Sequence, residues 1–139
     1  MLVHLQKHDG VNESIEVISF ALAREMAESL DWDSESYHFE YAVEFGGEAF
    51  MPSIAFTNDC GRTLEFGPNS DGRFWLSYRY EAFKSTFGFT SLVQEKEQLL
   101  PACELETALN ILEKHYGGRH QNIVAVLPTP ASDDELENE

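Results

Sequence analysis

The chain has 139 residues, 42% of them hydrophobic and 12% aromatic, and its 25 Asp and Glu against nine Lys and Arg give a formal net charge of −16. This apolar content is enough for one folded domain and excludes a wholly disordered chain. The charge argues against direct binding of nucleic acid or of an acidic membrane surface, because both depend on Lys and Arg. With only two cysteines and no signal peptide or membrane span in the sequence, we expect a reduced, cytoplasmic protein.

The first third of the chain is expected to hold a short strand and one long helix. Residues 2–6 indicate a strand, and residues 9–12 are typical of a turn. Arg24 and Glu28 are spaced to pair on the exposed side of the following helix. Its length is predicted as about 17 residues, because five apolar residues recur at three- and four-residue steps: Ile15, Ile18, Leu22, Met26 and Leu30. A polar turn at residues 31–34 is expected to end it.

The middle of the chain is expected to form an antiparallel meander. Apolar and polar residues alternate from Tyr37 to Phe45, which indicates a half-buried strand that ends in a hairpin turn at Gly46-Gly47. The run over residues 50–57 contains Pro52, which predicts an edge strand or a bulged one. Further strands are predicted over residues 62–66, 73–80 and 87–93. In the strand over 73–80, one face is expected to be buried: Phe74, Leu76, Tyr78 and Tyr80.

The last third is expected to hold a second helix, a strand and a tail. Pro101 should open the helix, because proline is tolerated in the first turn, and Gly117-Gly118 should end it. Its apolar side comprises Leu105, Ala108, Leu109, Leu112 and Tyr116. The apolar run over residues 123–127 predicts a buried final strand, and residues 128–139, which carry five acids and no base, predict an acidic disordered tail.

Together these elements predict an α+β fold in a single domain over residues 1–127. The expected order is helix, antiparallel meander of four to five strands, helix and final strand. Both helices are expected to pack on one face of the sheet, because that arrangement buries both apolar stripes.

No arrangement of residues in the sequence supports catalysis or metal binding. His38-Phe39-Glu40 matches half of a zinc deaminase signature, but no P-C-x-x-C follows it. Cys60 and Cys103 are far apart in sequence, and neither has a second metal ligand nearby. Neither a phosphate-binding loop nor a nucleophile elbow occurs. We therefore expect a binding protein and not an enzyme, without a cofactor or a metal.

The C-terminal third continues the meander into a helix, a glycine turn and a further predicted strand. A hydrophobic meander leads through Leu100-Pro101 into a helix over residues 104–112, then through Tyr116-Gly117-Gly118-Arg119 to the predicted strand Ile123-Val124-Ala125-Val126. Over residues 48–127 this pattern resembles the immunity proteins of bacterial polymorphic toxin systems, particularly those found beside deaminase-type toxins. The resemblance implies a cytoplasmic antidote that binds a cognate toxin domain and blocks its active site.

The predicted docking region combines acids with aromatic residues. From Glu25 to Asp59 the sequence has nine acids and no Lys or Arg, which suits either a docking face for a basic partner or a surface that only keeps the protein soluble. A tight inhibitor also needs desolvated anchors, for which aromatic side chains with polar atoms are favoured. Each Trp has core packing as its alternative role. The predicted partner-binding residues are Asp31, Trp32, Asp33, Glu35, Tyr37, Glu40, Glu44 and Trp75.

The expected partner is a cognate toxin domain, basic and directed at nucleic acid, such as a deaminase or a nuclease, and the chain itself is expected to be a monomer or a weak dimer. Two other binding functions stay open. An acidic type III secretion chaperone would form a stable homodimer around an unfolded segment of its cargo. A DNA-mimic inhibitor would need acids spaced like phosphates along one face.

Overall fold

The computed structural model describes the backbone of residues 1–86 and 90–128, and the side chains of these residues except 83–86 and 90–92. The described chain forms one six-stranded sheet and four helices. The strands are β1 (Leu2–Gln6), β2 (Asn12–Glu16), β3 (Ser53–Thr57), β4 (Thr63–Pro68), β5 (Phe74–Thr86) and β6 (Thr90–Cys103). The helices are α1 (Phe20–Glu28), α2 (Trp32–Phe45), α3 (Leu105–Tyr116) and α4 (His120–Val126).

All neighbouring strands of the sheet are antiparallel, in the order β2-β1-β3-β4-β5-β6. The hairpin β1–β2 comes first in the chain, α1 and α2 follow, and β3 then pairs beside β1 and starts the meander through β6. The α+β prediction is confirmed, although the sheet has six strands where four or five were expected. The predicted tail beyond Pro128, and residues 87–89 of the last predicted meander strand, lie outside the described residues.

The core lies between one face of the sheet and the helices. Alternate residues of the strands point into it, because successive side chains of a strand face opposite sides: Val3, Leu5, Ile54, Phe56, Leu64, Phe66, Leu76 and Tyr78 are all buried. The face predicted for β5 is confirmed, since Phe74 and Tyr80 are buried as well. Helix α3 contributes the predicted Ala108, Leu109 and Leu112. The helices therefore cover one face of the sheet, and the other face stays open.

The first predicted helix is wrong in its start and in its buried side. Residues 12–16 form the edge strand β2, and α1 begins only at Phe20, where the Ser19 hydroxyl accepts a hydrogen bond from Leu22 N at 3.3 Å. Its buried residues are Ala23 and Ala27, whereas Ile18 is 85% exposed. Residues 12–16 form a hairpin strand and not the first turn of a helix because Gly10, at φ 86°, closes a tight turn and β2 forms backbone hydrogen bonds with β1 along its whole length. The predicted Arg24–Glu28 pair is confirmed, with Nε and Oε1 2.7 Å apart.

The predicted strand over residues 37–45 is helix α2, and its supposed hairpin turn is a helix cap. Gly46 adopts φ 75° and its N–H donates to Ala42 O, which is a common way to end a helix. The alternation arises because α2 carries apolar residues on two opposite sides, so that a helix imitates the period of a strand. Trp32 is buried and Phe39, on the same side of the helix, is half-buried, whereas Tyr37, Tyr41 and Phe45 on the opposite side are exposed.

Three further expectations are corrected by the sheet and its ends. Strand β3 is interior, since it pairs with both β1 and β4, and Pro52 lies just before its first residue. Pro101 lies in the edge strand β6 rather than opening a helix, and α3 begins at Leu105. The run predicted as a final strand is the short helix α4, in which only Ile123 is buried. A short apolar run fits a strand or a buried helix equally well, so periodicity does not separate them.

Candidate protein-docking surface

Helix α2 is held to the domain by its first turn. Trp32 is buried, at 7% exposure, and its Nε1–H donates to Ala27 O at 2.9 Å. Its ring meets Phe74 edge-on, with centroids 5.7 Å apart. The Asp31 side chain caps the helix by accepting from Ser34 N at 3.1 Å. After Trp32 no residue of α2 is buried, so the helix leaves the core as it proceeds.

A second attachment joins the first half of α2 to the β1–β2 turn. The Glu35 carboxylate accepts a hydrogen bond from the backbone N–H of His8 at 2.8 Å and also contacts the Nδ1 of that residue. The His8 ring stacks on His38, with centroids 4.6 Å apart, and His38 Nδ1 in turn lies 2.8 Å from Ser34 O. These contacts fix the orientation of α2, so its remaining side is presented in one direction.

The side of α2 that faces away from the core carries an aromatic ladder, which we define as Tyr37, Tyr41 and Phe45. The three side chains are four residues apart, hence on one helical face, and their residues are 66%, 54% and 66% exposed. Ring centroids are 6.5 Å apart in the first pair and 4.5 Å in the second. Three adjacent exposed aromatic residues form an apolar patch of the kind that marks interaction sites.

An acid row, defined as Asp33, Glu40 and Glu44, runs beside the aromatic ladder. At 100° per residue these three side chains lie on one flank of the ladder. None of them is in an ion pair among the described residues. Glu40 and Glu44 stand one turn apart, and Glu44 lies at the end of the helix where the macrodipole disfavours negative charge. Glu40 and Glu44 therefore cost stability locally, whereas Asp33 in the first turn does not.

A groove opens where the first half of α2 meets the loop between β4 and β5. Asp33, Tyr37 and Glu40 line it from the helix, and Asn69 and Ser70 line it from the loop. Its volume is about 330 Å³. Two carboxylates and a phenol face the same space, with no Lys or Arg among the described residues that line it. The groove, which we call the acidic groove, can hold a cationic side chain.

Trp75 lies on the open face of the sheet, half-buried, beside a second groove. Met51, Leu99 and Pro101 line this space together with Trp75, and its volume is about 360 Å³. We call it the apolar groove. The two arginines that flank Trp75 in sequence are paired internally: Arg73 with Asp71 at 3.0 Å and Arg79 with Glu65 at 2.9 Å.

The titratable groups of the interior are satisfied by partners within the fold. His115 Nε2 lies 2.8 Å from Phe56 O, and burial lowers the pKa of this histidine. The Tyr78 hydroxyl lies 2.7 Å from His120 Nδ1, and burial raises the pKa of Tyr78 to about 12. Across the described residues, no buried side-chain nitrogen or oxygen lacks a hydrogen-bond partner. Within the same part of the chain, no three His, Cys, Asp or Glu side chains are grouped so that they could hold a metal ion.

The structure brings four of the eight predicted partner-binding residues together on α2. Asp33, Tyr37, Glu40 and Glu44 share the outward side of this helix, and the first three also line the acidic groove. Trp75 lies apart from them, on the open face of the sheet.

The remaining three predicted residues have structural roles in the fold. Trp32 packs in the core and is not accessible as an anchor, so it is left out of the docking surface. Asp31 is the N-cap of α2, and Glu35 is engaged by His8. The sequence left each tryptophan two roles, partner binding or core packing, and for Trp32 the structure shows core packing.

Sequence reasoning missed Tyr41, Phe45, Asn69 and Leu99 as members of the candidate surface. The first two carried a usable signal, because with Tyr37 they stand at steps of four residues, the spacing of a helical face. Asn69 and Leu99 carried no such signal. They join the surface only because the β4–β5 loop and strand β6 lie next to α2 and Trp75 in the folded chain.

Comparison with known proteins assigns the chain to no family. No protein-family model matches it, and the searches of curated proteins and of solved structures likewise found no match. Among the described residues, no helix has the length and apolar character needed to cross a membrane.

Proposed function

We propose that this chain is an immunity protein, an antidote that works in the cytoplasm by binding a cognate bacterial toxin domain and blocking its active site. The observation that carries the proposal is the outward side of α2, where an exposed aromatic ladder lies beside an acid row that has no cationic partner. The pattern over residues 48–127 that resembles immunity proteins includes a final strand, which in the structure is helix α4, so the proposal rests on the surface of α2 and not on that likeness. The toxin would be a basic domain directed at nucleic acid, such as a deaminase or a nuclease.

The charge of the chain supports capture of a basic partner. A protein of net charge −16 attracts a basic domain electrostatically at separations shorter than the screening length of the salt. This attraction steers the two proteins together and raises the association rate. The acid row provides local complementarity to the Lys and Arg that a nucleic-acid-directed toxin presents around its active site. Acids placed there would also imitate the charge of the toxin's substrate.

The aromatic ladder supports slow dissociation. Tyr residues combine a large apolar surface with a hydroxyl group, and residues of this kind are common among the few that carry most of the binding energy at an interface. Since the ladder has no cover among the described residues, a partner can remove it from water entirely. Binding that rests on such contacts persists when salt screens the charges.

The proposal is tested by capture and by neutralisation. Purified protein is immobilised and exposed to lysate of its own organism at low and at high salt, and retained proteins are identified by mass spectrometry. The dominant partner is then produced in cells with and without this chain. We expect one basic toxin domain that is retained at high salt and whose toxicity this chain abolishes. Tyr37→Ala and Tyr41→Ala should each weaken binding by about tenfold or more.

Leu22→Ala is the matched control, because Leu22 is also an exposed apolar residue of a helix, 52% accessible, but on α1. It should leave the affinity unchanged. A stable homodimer that retains a secreted effector through an unfolded segment would instead indicate a type III secretion chaperone. A mixture of basic proteins that is lost entirely at high salt would mean that the charge serves solubility only, and the immunity function would be abandoned.

A further inference from the structure

The acidic groove and the apolar groove adjoin at one residue, Asn69, which lines both. The first groove lies between α2 and the β4–β5 loop. The second lies between that loop and the start of β5 on one side and the end of β6 on the other. The two spaces, of about 330 and 360 Å³, therefore lie next to each other on either side of Asn69.

Asn69 is held in place from all three sides. Its side-chain Nδ2 donates to Pro101 O at 2.9 Å, which ties the loop to β6. Its backbone N–H donates to Arg73 O at 2.7 Å and closes the loop just before β5. The Ser36 hydroxyl donates to Asn69 O at 3.4 Å and links the loop to α2. The junction between the two grooves is therefore built by specific hydrogen bonds.

The apolar groove lies beside a β-bulge. Phe74 pairs with Cys103 and Leu76 with Leu100, so three steps along β6 span two steps along β5. Pro101 lies within this irregular stretch and lines the groove together with Trp75. Bulges commonly change the direction of side chains at binding sites. Proline is tolerated in a bulged edge strand because its missing backbone N–H is not needed for a hydrogen bond to a neighbouring strand. Leu99, 53% exposed, forms the far wall.

The charges at the acidic groove are one-sided. Asp33 and Glu40 face the acidic groove without an ion-pair partner among the described residues. The nearest loop arginine, Arg73, is paired with Asp71, and the backbone and side chain of Arg73 lower the pKa of that carboxyl. A guanidinium or ammonium group of a partner therefore meets two free carboxylates and the Tyr37 ring, a combination suited to charge-assisted hydrogen bonds and cation–π contact.

We propose that the two grooves together form the docking site for one extended segment of the partner, which seats a Lys or Arg side chain in the acidic groove and a large apolar side chain against Trp75 and Leu99. This inference deepens the proposed function and rests on it, because it specifies the chemistry by which the toxin is recognised. It also explains why Trp75, remote from α2 in sequence, belongs to the same surface as Asp33 and Glu40.

The test is selection from a random dodecapeptide display library on the immobilised full chain, with no knowledge of the natural partner. We expect enriched peptides that pair a basic residue with a large apolar residue at a fixed separation. The double substitution Asp33→Asn and Glu40→Gln should lower the affinity of a selected peptide by about tenfold or more, through loss of the charged acceptors. Leu99→Ser should lower it to a similar extent, through loss of apolar contact.

The controls separate folding from binding. Leu99→Ser leaves the Trp75 packing in place, so it is the milder alternative to Trp75→Ala, and circular dichroism checks the fold of each variant. Glu113→Gln removes an exposed carboxylate on α3, away from both grooves, and should leave the affinity unchanged. Failure to enrich any peptide, or peptides whose binding is unaffected by both groove substitutions, would overturn the inference. If the peptide test fails but the chain still captures and neutralises a toxin, the immunity function is retained and only the docking of an extended segment is rejected.

Discussion

Gly67 illustrates how a single residue shapes the open face of the sheet. It lies in β4, opposite Trp75 of β5. A Cβ at this position would overlap with Pro52 O and would stand 2.8 Å from Cζ2 of the Trp75 ring. The indole and the backbone before β3 therefore approach the main chain of Gly67 directly, and only the absence of a side chain permits this packing.

We predict that Gly67→Ala destabilises the protein by about 1–3 kcal/mol, because the backbone of Pro52 and the Trp75 ring must both move to admit a methyl group. Urea denaturation measures the change in the free energy of unfolding. Gly47→Ala is the control, since a Cβ there meets only ordinary contacts of 3.8 Å or more. Equal stability of the two variants would show that the Trp75 ring and the Pro52 backbone can move aside at little cost in free energy.

Helix α2 is an element in which binding and stability conflict. Its first turn suits a helix, with Asp31 as cap and the acids Asp33 and Glu35 near the positive end of the macrodipole. Its last turn has no basic residue and instead carries Glu44, one turn after Glu40. The second half also exposes aromatic rings to water. A sequence under selection for stability alone would not place these residues there, which favours a role in binding.

The conflict predicts opposite effects on stability at the two ends of α2. Glu44→Lys should stabilise the protein by about 0.3–1 kcal/mol, because it places a cation at the negative end of the helix and removes repulsion from Glu40. Asp33→Lys should destabilise it by a similar amount, because it places a cation at the positive end. Urea denaturation at low ionic strength measures both.

Both substitutions should weaken capture of a basic partner, whatever their effect on stability. A Glu44→Lys protein that binds as tightly as the original chain would remove Glu44 from the docking surface. Equal shifts of the same sign in the two variants would show that packing, and not the helix dipole, controls the stability of α2.

At the scale of the whole molecule, histidine burial and net charge act in opposite directions as the pH falls. His115 is 2% exposed and its pKa is lowered chiefly by burial. At a pH between this lowered pKa and the ordinary value near 6.5, His115 is protonated in the unfolded chain but stays neutral in the folded protein. The free energy of unfolding contributed by His115 is therefore fully present above about pH 6.5 and is lost as the pH decreases below it. Partial neutralisation of the −16 charge relieves self-repulsion over the same range.

We predict that His115→Gln separates these two effects. Glutamine can still donate to Phe56 O but does not titrate, so the stability advantage of the original chain over the variant should shrink as the pH falls from 8 to 5.5. The change cannot exceed about 1.4 kcal/mol per pH unit for one proton. Urea denaturation midpoints at intervals of half a pH unit measure it. A constant difference between the two proteins would show that His115 does not titrate differently in the folded state.

The fold class, the meander and the inward face of β5 could be predicted because they depend on local pattern. Phe74, Leu76, Tyr78 and Tyr80 alternate with Trp75, Ser77 and Arg79 in a strand whose two faces have different surroundings, so the period of two is visible in the sequence. The stripe of α3 could be predicted for the corresponding reason. In α2 the local pattern misled, because Phe39 is half-buried on one side of the helix while Tyr37 and Tyr41 are exposed on the other, and two helical stripes together resemble alternation.

For the candidate surface, the sequence by itself determined the chemistry: an acidic, aromatic region from Glu25 to Asp59 without a single Lys or Arg. Only the tertiary structure decided which of these residues are accessible. It placed Trp32 in the core, turned Glu35 towards His8 and left Asp33, Tyr37 and Glu40 facing a groove. It also placed Trp75 and Leu99 along a second groove, which shares Asn69 with the first. The physical reason is that composition is a property of the chain, whereas exposure and adjacency depend on contacts between residues distant in sequence.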